Sequence, residues 1–259
     1  MDNLNQNSHR LQEKKHWWFR TRRKVVRDIL KYSKLDFNSS IFEIGCGTGG
    51  NLKYLFNGYN KIIGIDISKY AIKIAKLRNP KAKLIIGDAN NLKNIKVSAD
   101  LVVFLDVLCT KNILNVKNVL IESRKILKNN GYLLISEPAF NLLKGKHSKS
   151  VEQVRRFNLK EIEKEITACG YELVRSNYWG FSIFFFMLFK RTIIDSLLFK
   201  EEQNEFLITR FINKIFFSFQ KLELFLFQRL KLPFGSSIII LGKKKQKHSK
   251  FSNQFTDFN

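Results

Sequence analysis

Cysteine is scarce in this chain of 259 residues. Its three cysteines, Cys46, Cys109 and Cys169, are odd in number, lie far apart and lack the spacing of metal ligands. Because disulfide frameworks and cysteine-ligated metal sites need paired, suitably spaced cysteines, we expect a protein of the reducing cytosol that binds no metal. The polar N-terminus, MDNLNQNSHRLQEKK, also lacks the apolar stretch of a secretory signal peptide.

Acidic residues are also few. The chain has 22 Asp and Glu against 46 Lys and Arg, which gives a formal net charge of +24. Such an excess of cations suggests an anionic partner, either nucleic acid or acidic lipid. The abundance of Lys, Asn, Ile and Phe is also what an AT-rich genome would produce, so the charge alone does not identify the partner.

A long uncharged run is missing as well. The most conspicuous apolar stretch, GFSIFFFMLFKR at 180–191, overlaps an uncharged run at 176–189 that is 14 residues long. A helix needs about 20 apolar residues to cross a bilayer. Lys190, Arg191 and Asp195 then interrupt the pattern, so we expect this stretch not to span a membrane.

Apolar runs that alternate with helical patterns fill the first half of the chain. After SSIFEIG come predicted strands at 61–68, 83–89, 99–108 and 132–140, and predicted helices at 69–78 and 118–131. The strands are almost continuous in Val, Ile and Leu, as in parallel strands buried on both faces. The alternation predicts a doubly wound α/β fold, in which Gly131 ends the helix at 118–131.

The second half is less regular. Residues 158–170 predict a helix with Asn158 as its N-cap and Gly170 at its end. We predict two further strands, at 171–179 and 235–245, and disorder in the charged and polar tail at 246–259.

A cluster of glycines, EIGCGTGG, follows the first strand and opens a helix. Glycine lets the backbone turn tightly there and lets helix N–H groups approach a ligand. The same residues also satisfy the dinucleotide pattern, with glycines at 45, 47 and 50, and Asp66 follows at the end of the second strand, where ribose hydroxyls bind in several nucleotide-binding classes. The glycine loop alone therefore leaves the bound nucleotide open.

Four motifs taken together resemble class I S-adenosylmethionine-dependent methyltransferases of the type 11 and type 12 kind. They are FEIGCGTG, GIDIS, IIGDANNL and ADLVVFLDVL, in that order. The resemblance implies a Rossmann-like, mostly parallel sheet of seven strands with S-adenosylmethionine as the cofactor. The cofactor-binding residues that it implies are Glu43, Gly45, Cys46, Gly47, Gly49, Asp66, Ile67, Asp88, Ala89 and Asp106. In the family pattern Asp66 binds the ribose hydroxyls, Asp88 and Ala89 lie against the adenine, and Asp106 lies near the methionine part.

The chain also resembles a narrower bacterial subgroup with an N-terminal His-Trp-Trp-Phe motif. The matching segments are EKKHWWFRTRRKVV, EPAFNLLKGKHS, RRFNLKEIEKEITACGYELVRSNYW and RLKLPFGSSIIILGKKK. Two departures stand out, because Cys109 and Thr110 replace the usual Glu-His pair and Ser148 replaces the usual Asp after His147. The loss of that acid weakens a catalytic role for His147.

Acceptor chemistry needs few protein groups, because the sulfonium methyl donor is already activated and the protein mainly aligns the acceptor. An oxygen or nitrogen acceptor also needs a base, for which His16 and His147 are the candidates. The arginines at 20, 22 and 23 are candidates for binding the methionine carboxylate or an anionic substrate, although a solvated helix face is the simpler interpretation. Arg155 and Arg156 are candidates for contacting a phosphate or uronate of the substrate.

The family usually joins its last two strands directly, but here an apolar insertion separates them. We therefore divide the chain into an N-terminal helical cover (1–35), the cofactor-binding domain (36–180), the apolar and amphipathic helical insertion (181–234), the final strand (235–245) and the tail (246–259). Within the insertion, 206–230 predicts an amphipathic helix whose polar stripe comprises Arg210, Lys214, Ser218, Lys221 and Gln228. Three roles compete for the insertion: ordinary core, a dimer interface, or a membrane-interface surface, which cations beside aromatics favour.

These observations together predict methyl transfer to a small-molecule or membrane-proximal acceptor, such as a lipid-linked or cell-surface glycan precursor or an isoprenoid lipid. We expect a cytoplasmic protein, with peripheral contact to the inner face of the cytoplasmic membrane, and nucleic acid is the less favoured partner. Two alternatives remain open at this point. One is an RNA methyltransferase, and the other is a subunit that binds the cofactor without turnover.

Overall fold

Alternating strands and helices give a single seven-stranded sheet in the computed structural model, which describes residues 13–145, 152–189, 218–219, 223–225 and 230–246. The strands are β1 (Ser40–Ile44), β2 (Lys61–Asp66), β3 (Lys83–Ile86), β4 (Ala99–Leu105), β5 (Leu127–Pro138), β6 (Tyr171–Trp179) and β7 (Ser237–Lys244). The helices are α1 (Trp17–Leu30), α2 (Gly50–Tyr54), α3 (Lys69–Arg78), α4 (Val116–Ile126), α5 (Leu159–Ala168) and α6 (Phe181–Phe189).

The strand order is β3-β2-β1-β4-β5-β7-β6. The pairs among β1 to β5 are parallel, whereas β7 runs antiparallel between β5 and β6. The chain therefore moves from β1 to β3 on one side and returns to place β4 beside β1. This reversal opens a crevice at the carboxyl ends of β1 and β4, where open α/β sheets bind their ligands. The seven-stranded, mostly parallel sheet predicted from the sequence is confirmed.

Both faces of the sheet are covered, which is why its strands are almost uniformly apolar. On one face, Val25 and Ile29 of α1 and Ile72 of α3 pack against the sheet. On the other face, Val119 of α4 and Ile166 of α5 close the second core. Helices on both faces are the doubly wound arrangement that the sequence predicts.

Several local predictions are confirmed in detail. Helix α3 and strand β6 have the predicted bounds, 69–78 and 171–179. The side chain of Asn158 accepts a hydrogen bond from the Lys160 N–H and caps α5, and Gly170 follows that helix with a φ of 87°. Caps and glycine ends act through local backbone geometry, so they are readable from a few residues.

The predicted end of the helix at Gly131 is wrong. Helix α4 ends at Ile126, and Leu127 already has an extended backbone. Leu127 pairs with Ala99 of β4, so strand pairing takes over from the helix four residues early. The turn residue with positive φ is Asn130, at 63°, rather than the glycine that follows it. Asparagine tolerates this left-handed conformation better than most residues.

The segment between β6 and β7 begins with α6, directly after Gly180. Most of the predicted 206–230 helix lies outside the described residues, as does the tail from 247 onward. The helical character predicted for the whole insertion therefore stays a prediction. Within the described parts of the chain, none of the helices combines the length and the apolar character that a bilayer span requires.

Candidate functional site

The predicted cofactor residues converge at the carboxyl edge of the sheet. The glycine loop begins directly after β1, Asp66 ends β2, Asp88 lies two residues beyond β3, and Asp106 directly follows β4. Because these four strands are parallel neighbours, their carboxyl ends meet at the same edge. The structure thus brings together residues from four separate motifs, in the crevice where the strand order reverses.

The glycine loop adopts backbone conformations that favour glycine. Gly45 and Gly47 have φ values of 71° and 52°. A side chain at Gly45 would meet Val107 Cγ2 at 2.5 Å, whereas a Cβ at Gly47 would have no atom within 4 Å. The loop is therefore packed tightly at its first glycine and borders open space at its second. Such a glycine cradle, open on the ligand side, fits a nucleotide-containing cofactor.

The Asp66 carboxylate is fixed by two backbone amides. Its Oδ2 accepts from the Gly47 N–H at 2.8 Å, and its Oδ1 accepts from the Ser68 N–H at 2.8 Å. Each carboxylate oxygen has a further lone pair, so the group retains acceptor capacity for ribose hydroxyls. This contact ties the glycine loop to the end of β2 and orients the acid that the family pattern assigns to the ribose. Ile67, the next residue, is about half exposed at the rim.

Glu43 is a carboxyl group buried under the glycine loop. Its Oε1 accepts from Asn51 Nδ2 at 2.7 Å, and its Oε2 has no hydrogen-bond partner among the described residues. Burial raises the pKa of Glu43 to about 8, although the Asn51 bond and the nearby Arg22 oppose that rise. A buried, incompletely satisfied acid beside the crevice is suited to a cationic ligand group such as an ammonium.

Arg22 of α1 reaches into the same crevice. Its Nη1 forms an ion pair with Asp106 Oδ2, and its Nη2 donates to Asn51 Oδ1 at 3.4 Å. The arginine is buried, and its Nε has no hydrogen-bond partner within the described ranges. The amino-acid part of S-adenosylmethionine carries one ammonium and one carboxylate. In the crevice, the carboxyl groups of Glu43 and Asp106 are suited to the ammonium, and the Arg22 guanidinium is suited to the carboxylate. The residues present therefore fit the amino-acid part of the cofactor.

The two predicted adenine residues lie in the loop after β3. Asp88 Oδ1 accepts from the backbone and side-chain nitrogens of Asn90 at 2.8 and 2.7 Å. Asn90 also accepts from the Leu114 N–H at 2.9 Å, which ties this loop to the one after β4. Ala89 packs against the core cluster. The amide of Asn90, which the sequence did not single out, therefore fixes the loop that carries the two predicted adenine residues.

The Cys46 thiol is part of the loop scaffold. It is buried, and a side chain at Gly64 of β2 would meet its sulfur at 2.8 Å. Burial raises the pKa of Cys46 well above its usual range, so the thiol stays neutral and unreactive at physiological pH.

Within the described residues, side chains of His, Cys, Asp and Glu form no cluster suited to a metal ion.

A strap of residues before α1 lies on the glycine loop. Glu13 Oε1 accepts from Thr48 Oγ1 at 3.1 Å, and Glu13 Oε2 pairs with Arg78 Nη2 at 2.6 Å. Arg23 Nη1 donates to the Glu13 carbonyl at 2.7 Å. Glu13 and Arg78 were not identified from the sequence. In the sequence they resemble ordinary charged surface residues, and only the fold brings them together as an ion pair.

His16, one of the two candidate bases, caps a helix. Its Nδ1 accepts from the Trp18 N–H at 3.2 Å at the start of α1. A lone pair used in this way is not available to take a proton from an acceptor, so this contact gives His16 a structural role. His147, the other candidate, lies outside the described residues, within 146–151. The catalytic role of either histidine stays a prediction.

Arg155 and Arg156, the predicted substrate contacts, bond to backbone carbonyls. Arg155 donates to the Leu108 carbonyl at 3.1 Å and to the Ile113 carbonyl at 2.8 Å, and thereby braces the loop after β4. Arg156 Nη1 donates to the Ala139 carbonyl at 3.0 Å. Both guanidinium groups therefore contribute to the walls of the site, and contact with a substrate phosphate or uronate stays a prediction.

An aromatic cluster adjoins this edge of the sheet beyond β5. The ring of Phe140 stacks on Tyr178 with centroids 5.0 Å apart and meets Phe184 of α6 edge-on at 5.6 Å. Phe184 also lies 5.0 Å from Phe234, just before β7. The residue pairs Pro138–Ser237 and Trp179–Ser237 place these elements at the same carboxyl edge of β5 as the acids described above.

Glu223 fixes the start of α6. Its Oε1 accepts from the Phe181 N–H at 2.7 Å, and its Oε2 accepts from the N–H and hydroxyl of Ser182 at 3.1 and 2.8 Å. The carboxylate thus satisfies N–H groups that a helix start leaves unpaired. This cap crosses 42 residues of sequence, and no local signal in the sequence predicts it.

Comparisons with known proteins identify a domain within this chain and its fold. Residues 42–135 match the model of a methyltransferase domain, which covers β1 to most of β5 and the acids between them. An uncharacterized protein of Methanocaldococcus jannaschii is 27% identical over 179 residues, covering 58% of this chain and 68% of that protein. The phosphoethanolamine N-methyltransferase of Plasmodium falciparum is 27% identical over 169 residues, covering 60% of this chain and 64% of that enzyme.

Solved structures share the fold. A chain of the Haloferax volcanii complex between the Trm112 methyltransferase activator and a methyltransferase aligns with a TM-score of 0.60 at 15% identity, over 93% of this chain and 95% of that one. Phosphoethanolamine N-methyltransferase 2 of Haemonchus contortus, in complex with S-adenosyl-L-methionine, aligns with a TM-score of 0.54 at 15% identity, over 85% of this chain and 52% of that one. The narrower subgroup marked by the His-Trp-Trp-Phe motif stays a prediction.

Proposed function

We propose that this protein, an S-adenosylmethionine-dependent methyltransferase, transfers its methyl group to an acceptor held at a membrane surface. The enzyme class and the cofactor follow from the methyltransferase domain at 42–135 and from the fold around it. The proposal concerns the acceptor, for which the candidates are a lipid-linked or cell-surface glycan precursor and an isoprenoid lipid.

The observation that carries the proposal is a set of exposed phenylalanines, on α6 and on either side in sequence of Glu223, the residue that caps α6. Phe185 and Phe186 of α6 are 47% and 48% exposed, and Phe219 and Phe225 are 61% and 53% exposed. Exposed phenylalanines are costly in water, since each buried aromatic side chain gains roughly 1.5–3 kcal/mol. A lipid surface recovers that energy, and the net charge of +24 adds attraction to anionic headgroups.

The position of this surface supports the same acceptor. Helix α6 begins directly after β6, whose last residue pairs with the start of β7 beside the carboxyl end of β5. A membrane that contacts α6 would therefore lie close to the crevice that holds the methyl donor. A lipid-linked acceptor could reach the methyl group while its apolar part stays in the bilayer. The Plasmodium relative is a phosphoethanolamine N-methyltransferase, which adds a phosphorylated small molecule to the acceptors worth testing.

Methyl transfer requires few catalytic groups from the protein. When bound, S-adenosylmethionine supplies a methyl group on a sulfonium, which is already activated toward nucleophiles. The chain contributes the crevice that orients the cofactor, in which Asp66, Glu43 and the Arg22–Asp106 pair are the residues suited to hold it. The aromatic cluster excludes water on the acceptor side and aligns an apolar substrate.

A vesicle flotation assay tests the membrane part. We expect the full-length protein to float with vesicles of anionic phospholipid, and the double variant Phe186→Ser/Phe219→Ser to float at least about fivefold less. Leu77→Ser is the matched control, because Leu77 is 81% exposed on α3, away from α6. Protein that stays at the bottom with anionic vesicles, or equal loss in the Leu77 control, would contradict the proposal.

The acceptor is tested separately with a labelled methyl donor and a membrane extract, followed by partition into organic, glycan and RNA fractions. We expect label in the organic or the glycan fraction. Salt-sensitive label in RNA would instead favour the alternative of an RNA methyltransferase, which the excess of cations suggests. Cofactor binding without label in any fraction would favour a non-catalytic subunit.

A further inference from the structure

A lone acid is buried at the end of β5. Glu137 is fully buried near the end of a mostly apolar strand segment, YLLISEP. A carboxylate placed in such surroundings is costly unless hydrogen-bond donors compensate it. The burial of Glu137 therefore requires hydrogen-bond donors around its carboxyl group.

Three consecutive backbone amides point at this one carboxylate. The N–H groups of Val107 and Leu108 donate to Glu137 Oε1 at 3.0 and 2.8 Å, and the N–H of Cys109 donates to Oε2 at 3.1 Å. These three residues form the loop that directly follows β4. Glu137 therefore holds the loop as a template, because three backbone N–H groups of one loop converge on its two carboxyl oxygens.

Asp106 is the residue immediately before these three. Its φ is 59°, in the left-handed region that non-glycine residues rarely adopt. Its own N–H donates to the Ser136 carbonyl at 2.9 Å, and its carboxylate pairs with Arg22. A residue persists in this conformation only where its surroundings determine it. Here β5 supplies the restraint on both sides, through the Ser136 carbonyl and the Glu137 side chain.

We propose that Glu137 is a positioning residue that holds Asp106 in its cofactor-binding conformation by templating the loop after β4. It touches neither the cofactor nor the reacting atoms and acts through Asp106. The proposal rests on the assignment of Asp106 to the methionine part of the cofactor, and it is independent of the identity of the acceptor.

The test measures S-adenosylmethionine binding by titration calorimetry, so that no acceptor is needed. In Glu137→Gln the side chain keeps its shape, but an NH2 group replaces one of the two carboxyl oxygens. In either orientation of the amide, this NH2 group faces a backbone N–H of the loop, so two donors oppose each other. We expect its Kd for S-adenosylmethionine to rise about tenfold. The matched control is Ser123→Ala, which removes a buried hydroxyl that bonds to the Tyr171 hydroxyl at 2.9 Å, away from the crevice. This control should lower the melting temperature and leave the Kd unchanged.

A double-mutant cycle separates positioning from general stability. If Glu137 acts through Asp106, the double variant Glu137→Gln/Asp106→Asn binds no more weakly than Asp106→Asn alone, to within about twofold. Additive losses would overturn the proposal, and so would wild-type affinity in Glu137→Gln. Wild-type affinity in Asp106→Asn would overturn both the proposal and the assignment of Asp106. If Glu137→Gln does not fold, Glu137→Asp, whose carboxylate is set back by one methylene, replaces it, and wild-type affinity in that variant is likewise contradictory.

Discussion

The cofactor end and the aromatic end of the same sheet edge are held together in different ways. At the cofactor end, short loops after β1 to β4 are fixed by backbone amides and buried charges, such as Asp66 with the Gly47 N–H and Arg22 with Asp106. At the aromatic end, α6 is held by contacts between aromatic rings and by the Glu223 cap, and it leaves phenylalanines exposed. A polar crevice suited to the cofactor thus adjoins an apolar helix with exposed phenylalanines, to which we have assigned the proposed acceptor side.

This difference teaches that the two halves of the reaction make different demands. A cofactor that is always the same is best held by preorganised donors and acceptors. An apolar acceptor is held by surface area, which needs less precise geometry. Changes at the cofactor end should therefore alter affinity steeply, and changes at the aromatic end should alter membrane contact while cofactor binding persists.

The largest effect should come from the glycine loop. Gly47→Ala places a methyl group in the open space beside the loop, so we expect S-adenosylmethionine affinity to fall by roughly 100-fold. Its cost in folding should be only about 1 kcal/mol, from the positive φ. Gly45→Ala should instead destabilise the fold by about 2–4 kcal/mol, because its methyl group also collides with Val107. Calorimetry and thermal unfolding measure the two quantities, and equal behaviour of the two variants would contradict this prediction.

The next effect concerns the buried acid under the loop. The folded-state pKa of Glu43 is raised to about 8, above its unfolded value. The folded protein therefore holds a proton that the unfolded chain releases, and this contribution to stability is lost as the pH rises toward and through 8. Because glutamine does not titrate, the Glu43→Gln variant should not lose this stability as the pH rises.

We expect Glu43→Gln to unfold near the wild-type temperature at about pH 5 and to be more stable than wild type by about 2 kcal/mol at about pH 9. Differential scanning calorimetry across this range measures the difference. A wild-type protein whose stability does not fall relative to the variant would contradict the buried environment of Glu43. Cofactor affinity should fall in the same variant where the wild-type carboxyl group is ionised, because the amide carries no negative charge to pair with an ammonium.

The cap of α6 tests the aromatic end by itself. Glu223→Ala removes the acceptor for the Phe181 and Ser182 N–H groups, so we expect a loss of about 1–2 kcal/mol. Vesicle binding should weaken, whereas the Kd for S-adenosylmethionine should stay within about twofold of wild type. Glu172→Ala, at an exposed position of β6, is the control and should change neither property. A large loss of cofactor affinity in Glu223→Ala would show that the two ends are coupled.

The smallest effect should come from Arg155. Lysine keeps the charge but cannot bridge the Leu108 and Ile113 carbonyls as the guanidinium does. Arg155→Lys should therefore lower stability by about 1 kcal/mol and leave the KM for the acceptor unchanged. A raised KM at unchanged melting temperature would instead support the contact with an anionic substrate predicted from the sequence.

Much of the fold was predictable because its signals are local. Continuous apolar runs identified the buried parallel strands, and Asn158 and Gly170 marked the two ends of α5. The end of α4 was not predictable in the same way, because the pairing of Leu127 with Ala99 overrides a helical pattern that continues beyond it. Strand pairing depends on the partner strand, which a local pattern does not include.

The sequence by itself determined the sheet, the glycine loop and the acids that follow its strands, since each depends on the backbone needs of a few neighbouring residues. Only the tertiary structure decided which charges meet. Arg22 reaches Asp106 across 84 residues, Glu137 reaches the loop after β4 across about 30, and Glu223 reaches α6 across 42. A buried charge is tolerable only where the fold brings a partner to it, so its role becomes readable only once the strands are in register.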